Sequence, residues 1–267
     1  MQYIKNGQFC QSPCIHYNNR SFLYGDGFFE SIRLFEGVIF NRESHFKRVS
    51  TTLKELELEL ERSLNDVFSE VEALAQKNGL LNACSARLTI YREEGGLYTP
   101  LTNQASYFIS TVEHPEHRFK LGNGIRLGIY SKHLKAAQPL STIKSSSALL
   151  YVLASIDRKK QIMDELILLN EHSNVVEGTN SNIFMVKDSH LFTPPLSDGG
   201  VAGTMRHLIL QQYSVDESSF QISDLELADE IFLTNCHGIR WVKEFGKNSH
   251  LNSDVSTKVV DCLNSLI

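Results

Sequence analysis

Apolar and polar residues alternate with two different periods along this chain of 267 residues. From Phe28 to Phe35 the period is two, around Glu30, Ile32 and Leu34. Glu36-Gly37 then turns the chain into Val38-Ile39-Phe40, which predicts a β-hairpin. Phe46, Val49, Leu53 and Leu56 recur at helical spacing. A second amphipathic helix opens at Ser63-Leu-Asn-Asp66, a start resembling a capping box, and stops at Asn78-Gly79. Strands are expected over 83–91 and 106–112. The segment 113–124, with Pro115, Gly122 and Gly124, reads as a connection.

Beyond it the pattern predicts strands over 125–130, 165–169, 183–186 and 190–193, with Asp188-Ser189 as the turn joining the last two. Helices are expected from Ser146 to Gln161, from Thr204 to Tyr213 and from Val255 to Leu266. A further strand is expected over 231–234. The expected class is α/β with mixed sheets: a smaller N-terminal domain over 1–115, an interdomain linker over 116–124 and a larger C-terminal domain over 125–267. No internal repeat is evident.

Composition narrows the possible functions. Hydrophobic residues make up 42% and charged residues 21%, ordinary for a globular protein. A net charge of -5 offers no basic field for nucleic acid, and no apolar run has the length of a membrane span. The N-terminus lacks the apolar core of a signal peptide, and five scattered cysteines fit a reducing cytoplasm. Cys10 and Cys14 have no second pair to complete a metal site, so no metal is expected.

Several groups have the chemistry of a site. Lys144, in Thr142-Ile-Lys-Ser-Ser-Ser147, lies where a helix is expected to begin, and Glu177 lies in the turn-like run Glu177-Gly-Thr-Asn-Ser-Asn-Ile-Phe184. A lysine and a carboxylate so placed suit an aldehyde cofactor and its ring nitrogen, although either alone is equally a solvated or capping residue. Gly199-Gly-Val-Ala-Gly-Thr-Met-Arg206 leads into a helix whose first N–H groups suit a phosphate; a flexible loop is the alternative. Arg48 lies beside the apolar stripe Phe46/Val49/Leu53, either turned inward to an anion or snorkelling over the surface. Tyr24-Gly-Asp-Gly27 reads as a turn, and Arg92-Glu-Glu-Gly-Gly-Leu-Tyr98 as a mobile loop able to overhang a cleft.

In this order the motifs resemble the fold type IV pyridoxal-phosphate enzymes, the class IV aminotransferases. That group contains branched-chain and D-amino acid aminotransferases and 4-amino-4-deoxychorismate lyases. The resemblance is carried by Tyr24-Gly-Asp-Gly-Phe-Phe-Glu30, His45-x-x-Arg48, Lys144, Glu177 to Phe184, Gly200 to Arg206 and Ala228-Asp-Glu-Ile-Phe-Leu-Thr-Asn235, and it spans nearly the whole chain. It implies pyridoxal 5'-phosphate as cofactor, with Lys144 as the Schiff-base lysine and proton carrier. Glu177 would pair with the ring nitrogen, and Arg48 with the amides of Thr204 and Met205 would hold the phosphate. Leu149, Asn235 and Cys236 fall at further cofactor positions. Tyr24, Glu30, Arg92, Tyr98 and Arg240 fall at expected substrate positions.

The resemblance also implies a small-molecule amino substrate and a homodimer. Where branched-chain enzymes carry a tyrosine this chain has Leu149, as in the lyases and the D-amino acid enzymes, and the short chain favours the lyase. The lyase loop usually has a second arginine, which the 92–98 segment lacks, and the segment after Asn235 is one residue short. An aminotransferase acting on branched-chain or D-amino acids is the alternative, followed by a non-catalytic cofactor-binding protein.

Overall fold

A computed structural model describes residues 1–249 and 251–267. Contacts divide the chain into two units, 1–118 with Lys144–Ser147 and 119–143 with 148–267. The second unit thus begins before the expected linker ends, and the four residues around Lys144 belong with the first unit.

In the first unit, β1 (Tyr3–Lys5), β2 (Gln8–Cys10), β3 (Gly27–Phe35), β4 (Val38–Ile39), β6 (Ala83–Arg92) and β7 (Gln104–Glu113) form a sheet in the order β2-β1-β7-β6-β3-β4. β5 (Glu59–Leu60) pairs with β7 in parallel. The helices are α1 (Arg20–Tyr24), α2 (Arg42–Glu55) and α3 (Leu64–Lys77). Ser63 caps α3 by accepting from the Asp66 N–H, as its sequence predicted. Val67, Phe68, Val71, Leu74 and Ala75 line one face of α3 and are fully buried. The long β3–β6 register places Ile32 opposite Ala86 and Leu34 opposite Cys84 on the core face. Burying such an aliphatic side chain stabilises the fold by about 1.5–3 kcal/mol.

In the second unit the strands are β8 (Ile125–Lys135), β9 (Glu165–Asn170), β10 (Val175–Gly178), β11 (Asn182–Lys187), β12 (His190–Thr193), β13 (Val215–Glu217), β14 (Glu230–Asn235) and β15 (Gly238–Phe245). They lie in the order β10-β9-β8-β15-β14-β11-β12-β13. β8 runs parallel to both β9 and β15, and β12 runs parallel to β13. Its helices are α4 (Leu149–Lys160), α5 (Thr204–Gln212), α6 (Ile222–Leu225) and α7 (Asp254–Ser265). Ile167, Ile183, Ile231, Leu233 and Val242 form the centre of its core. No helix among the described residues is long and apolar enough to cross a membrane.

Two expectations are corrected. α4 begins at Leu149, not at Ser146. The residues before it pair instead with β3, through Phe29 N–H to Lys144 O (3.2 Å) and Ser146 N–H to Gly27 O (2.9 Å). Backbone groups committed to a strand cannot also start a helix. Glu177 lies within β10, not in a turn, because residues 175–178 pair with β9 across a register shift.

The C-terminus of α4 stores backbone strain. Met163 N–H bonds to Arg158 O (3.1 Å), which leaves Ile162 at the left-handed position, φ 57°, that glycine usually fills. Its side chain is 71% exposed, so little packing offsets the clash of its Cβ. Ile162→Gly is expected to stabilise the protein by about 1 kcal/mol, read as a higher urea midpoint; an unchanged or lower midpoint contradicts this account.

Candidate active site

Each unit gathers its own group of functional side chains. In the first, β3 carries Phe29 and Glu30 on successive positions, which point to opposite faces. The Lys144 amine lies 4.6 Å from the centre of the Phe29 ring, and the Arg87 guanidinium lies 3.8 Å from it. Arg87 is placed by β6, where it pairs in register with Ser31. Burial lowers its pKa from the ordinary guanidinium value. Arg87 carries no mark in the sequence, because one arginine within a strand makes no motif. Only the cross-strand register brings it to the ring that Lys144 covers.

The Glu30 carboxylate is buried and accepts from Arg48 Nε (3.1 Å), from Arg48 Nη2 and from His45. Glu30 therefore faces its α2 partners, not a substrate. Its placement corrects the assignment to substrate binding, because a carboxylate this deep requires its charge partners. Burial pushes its pKa up, but the charges of Arg48 and His45 and their hydrogen bonds outweigh burial and hold it at about 2 against an ordinary 4.5. Arg48 is thereby turned inward and oriented by a fixed carboxylate, which answers the choice between an inward and a snorkelling side chain.

Arg92 is also committed within the first unit. Its Nε bonds to Asp26, Nη1 to Glu57 O and Asn103 Oδ1, and Nη2 to Leu56 O. It braces the end of β6, and little of its donor capacity remains for a substrate. Arg20 shares Asp26 and bonds Gly95 O (2.9 Å) and Leu97 O (2.6 Å), so the loop expected to be mobile is clasped at its base. Tyr98 at its tip is 89% exposed and touches the Tyr24 ring, 5.6 Å between centroids.

In the second unit Glu177 is the centre, 3% exposed. Its Oε1 accepts from Lys135 and from the Tyr151 hydroxyl (2.7 Å). Its Oε2 accepts from the Val201 N–H (2.9 Å) and, at 3.4 Å, from Asn182 Nδ2. Asn182 Nδ2 also bonds Val201 O (2.8 Å), so the glycine-rich loop is tied to the carboxylate from both sides. A Cβ on Gly203 would lie 1.8 Å from Asn182 Oδ1, so any other residue where the loop enters α5 would have to displace Asn182 from its bonds to Val201 and Glu177. Thr204 and Met205 form the first turn of α5 and are buried.

Asn235 Nδ2 reaches Asn180 O (3.2 Å) and Ser181 Oγ (3.2 Å) at the end of β14. Arg240 Nη2 bonds the fully buried Glu165 (2.6 Å), Asn180 Oδ1 (3.0 Å) and Ser181 Oγ (2.9 Å). Cys236 follows Asn235 in the tight turn to β15 and is partly buried. Leu149 is 70% exposed at the first position of α4. Lys135 and Tyr151 were missed in the sequence, since nothing local marks either as a partner of Glu177.

The donor set fits pyridoxal phosphate. Within the first unit the residues include an amine and an inward arginine; within the second they include a buried carboxylate tied to a glycine-built helix start, the chemistry that a protonated ring nitrogen and a phosphate require.

The Glu30 cluster makes a pH prediction. A carboxyl held below its ordinary value contributes stability that is complete above about pH 4.5 and is lost as pH falls towards 2. Glu30→Gln is expected to cost on the order of 3 kcal/mol at neutral pH and to flatten the loss of stability between pH 5 and 2. Urea unfolding across that range checks it; an unchanged acid limb in the variant contradicts the assignment.

Comparison with known proteins agrees with this chemistry. The family model for amino-transferase class IV matches residues 27–245. A putative branched-chain-amino-acid aminotransferase of Methanocaldococcus jannaschii is 31% identical over 245 residues, covering 88% of this chain and 84% of that protein. An aminodeoxychorismate lyase of Vibrio harveyi is 30% identical over 227 residues, covering 81% and 82%. The crystal structure of 4-amino-4-deoxychorismate lyase from Pseudomonas aeruginosa superposes with a TM-score of 0.86 at 26% identity, covering 98% of each chain. The chain thus belongs to the class IV aminotransferase family and is a pyridoxal-phosphate-dependent enzyme.

Proposed function

We propose that this enzyme is a 4-amino-4-deoxychorismate lyase, releasing 4-aminobenzoate and pyruvate for folate biosynthesis in the cytoplasm. The observation that carries the reading is the end-to-end match with the Pseudomonas aeruginosa lyase, 98% of both chains. Leu149 supports it, since it offers no hydroxyl where the branched-chain enzymes of the family have a tyrosine. Aminotransferase activity is the second reading, favoured by the 31% identity to the archaeal relative.

Bound pyridoxal phosphate supplies an aldehyde that condenses with amines and a ring that accepts the electron pair left by proton removal. Lys144 would hold the aldehyde through Nζ, and the same amine would take up the proton from the amine-bearing carbon of the substrate. Glu177 holds the proton on the ring nitrogen. Arg48, kept in orientation by Glu30, and the amides of Thr204 and Met205 take the phosphate, with Asn235 and Cys236 bordering the cofactor. Departure of the enolpyruvyl group makes the substrate ring aromatic, a driving force that the protein need not provide.

Arg87 is assigned to a substrate carboxylate, since it lies over the same ring as Lys144 at an exposed position of β6. Tyr24 and Tyr98 border the substrate. Arg240 contributes through the turn that it braces. A homodimer is part of the proposal: Leu149, Val152, Leu153 and Ile156 form an exposed apolar stripe on α4 at the i, i+3, i+4, i+7 spacing, which a second copy would cover.

Two outcomes are expected. Purified enzyme supplied with aminodeoxychorismate should release fluorescent 4-aminobenzoate, and Lys144→Ala should abolish that release while keeping the fold by circular dichroism. Brisk keto-acid formation from an amino acid, without 4-aminobenzoate, gives the assignment to the aminotransferase reading. Arg87→Met should raise KM by roughly tenfold or more, the loss of one charge-assisted hydrogen bond, and leave cofactor affinity unchanged. An unaltered KM removes Arg87 from the substrate site.

A further inference from the structure

Glu177 is saturated on one oxygen and only partly engaged on the other. A carboxylate oxygen has two lone-pair directions, and on Oε1 these take Lys135 Nζ and the Tyr151 hydroxyl. On Oε2 the Val201 N–H at 2.9 Å is a full hydrogen bond, whereas Asn182 Nδ2 at 3.4 Å is long and spends a better bond on Val201 O. Lys135 is only 5% exposed, bonds the Tyr151 hydroxyl and lies 5.0 Å from the centre of its ring. Three elements converge there: the end of β8 beyond its register shift, the first turn of α4 and β10.

We propose that Lys135 and Tyr151 are positioning residues that hold Glu177 in one rotamer as an anion, closing Oε1 and leaving Oε2 as the oxygen that meets the cofactor's ring nitrogen. The inference rests on the reading above in which Glu177 serves that nitrogen. A carboxylate alone at this depth would shed its charge by taking up a proton, and the ring proton is the nearest source once cofactor is bound. The ion pair with Lys135 and the hydrogen bond from Tyr151 supply the carboxylate with its partners on Oε1, which would leave the ring proton to the ring, where it is needed for electron withdrawal. Tyr151 adds a neutral donor. Burial first, then the charge and hydrogen bond of Glu177, push its phenol far above the ordinary value, so the hydroxyl stays protonated and keeps donating.

The test reads the ring nitrogen itself. Holoenzyme reconstituted with pyridoxal phosphate labelled with nitrogen-15 in the ring reports by NMR whether that nitrogen carries a proton as pH is varied. In Lys135→Met the proton should be shared with the Glu177 carboxyl, the ratio of ring-protonated to carboxyl-protonated form falling by roughly tenfold, read as a ring signal moved toward the unprotonated position at pH below the titration. Tyr151→Phe should show a smaller shift in the same direction, and Lys135→Arg should restore the wild-type curve. In a Glu177→Gln background, Lys135→Met should add nothing. A wild-type curve in Lys135→Met overturns the proposal; if that variant does not fold, a wild-type curve in Tyr151→Phe overturns it equally. A ring signal indifferent to Glu177→Gln overturns both the proposal and the reading beneath it, and so separates the two failures.

Discussion

A carboxylate removed from water must be given donors, and this chain is organised around four glutamates that meet that demand from distant segments. Glu30 draws Arg48 and His45 inward from α2; Glu177 draws in Lys135, Tyr151 and the Val201 amide. Glu165, fully buried, binds the Thr179 N–H (3.2 Å) and Arg240; Glu230 binds the N–H groups of Val255 and Ser256, which begin α7. For Glu30, Glu177 and Glu165 the gain from ion pairing is set against desolvation, so the pair is poor evidence of stability; Glu230 is met by neutral donors alone. What it does provide is placement, because removing one partner would leave a bare buried charge.

That placement is why the glycine-rich loop has a defined path. Val201 donates to Glu177 while its carbonyl accepts from Asn182, and a side chain on Gly203 would displace Asn182 from its bonds. The loop is therefore one more ligand of the carboxylate, and the start of α5 is positioned by the same group assigned to the ring nitrogen. Phosphate end and nitrogen end of the proposed cofactor site are coupled through a few short hydrogen bonds, not through independent elements.

The legible parts of the sequence were those whose cause is local. The β3–β4 hairpin, α3 with its Ser63 cap, and the β11–β12 turn with Asp188 and Ser189 at positive φ follow from neighbouring residues. Glu177 and Lys144 were legible as motif residues, but not their settings. β10 is a strand only because β9 pairs with it, and the residues before α4 stay out of the helix because β3 takes the Lys144 carbonyl and Gly27 the Ser146 N–H. Arg87, Lys135 and Tyr151 carry no local mark at all. Each acquires its role from register or from a partner dozens of positions away. Arg92 and Glu30 misled for the converse reason: a charged residue beside a motif looks available until its partners are known.

Tyr151 also sharpens what Leu149 means. Two positions along a helix amount to a rotation of about 200°, so hydroxyls at 149 and 151 address nearly opposite directions. Tyr151 is turned onto Glu177, while Leu149 is exposed at the start of the helix. The tyrosine at 151 therefore cannot stand in for a tyrosine at 149. Its hydroxyl is committed to the carboxylate, and in the proposed site the cofactor's ring oxygen goes without that donor. In the proposed site, then, the one phenol of this turn serves the carboxylate and not the cofactor's ring oxygen.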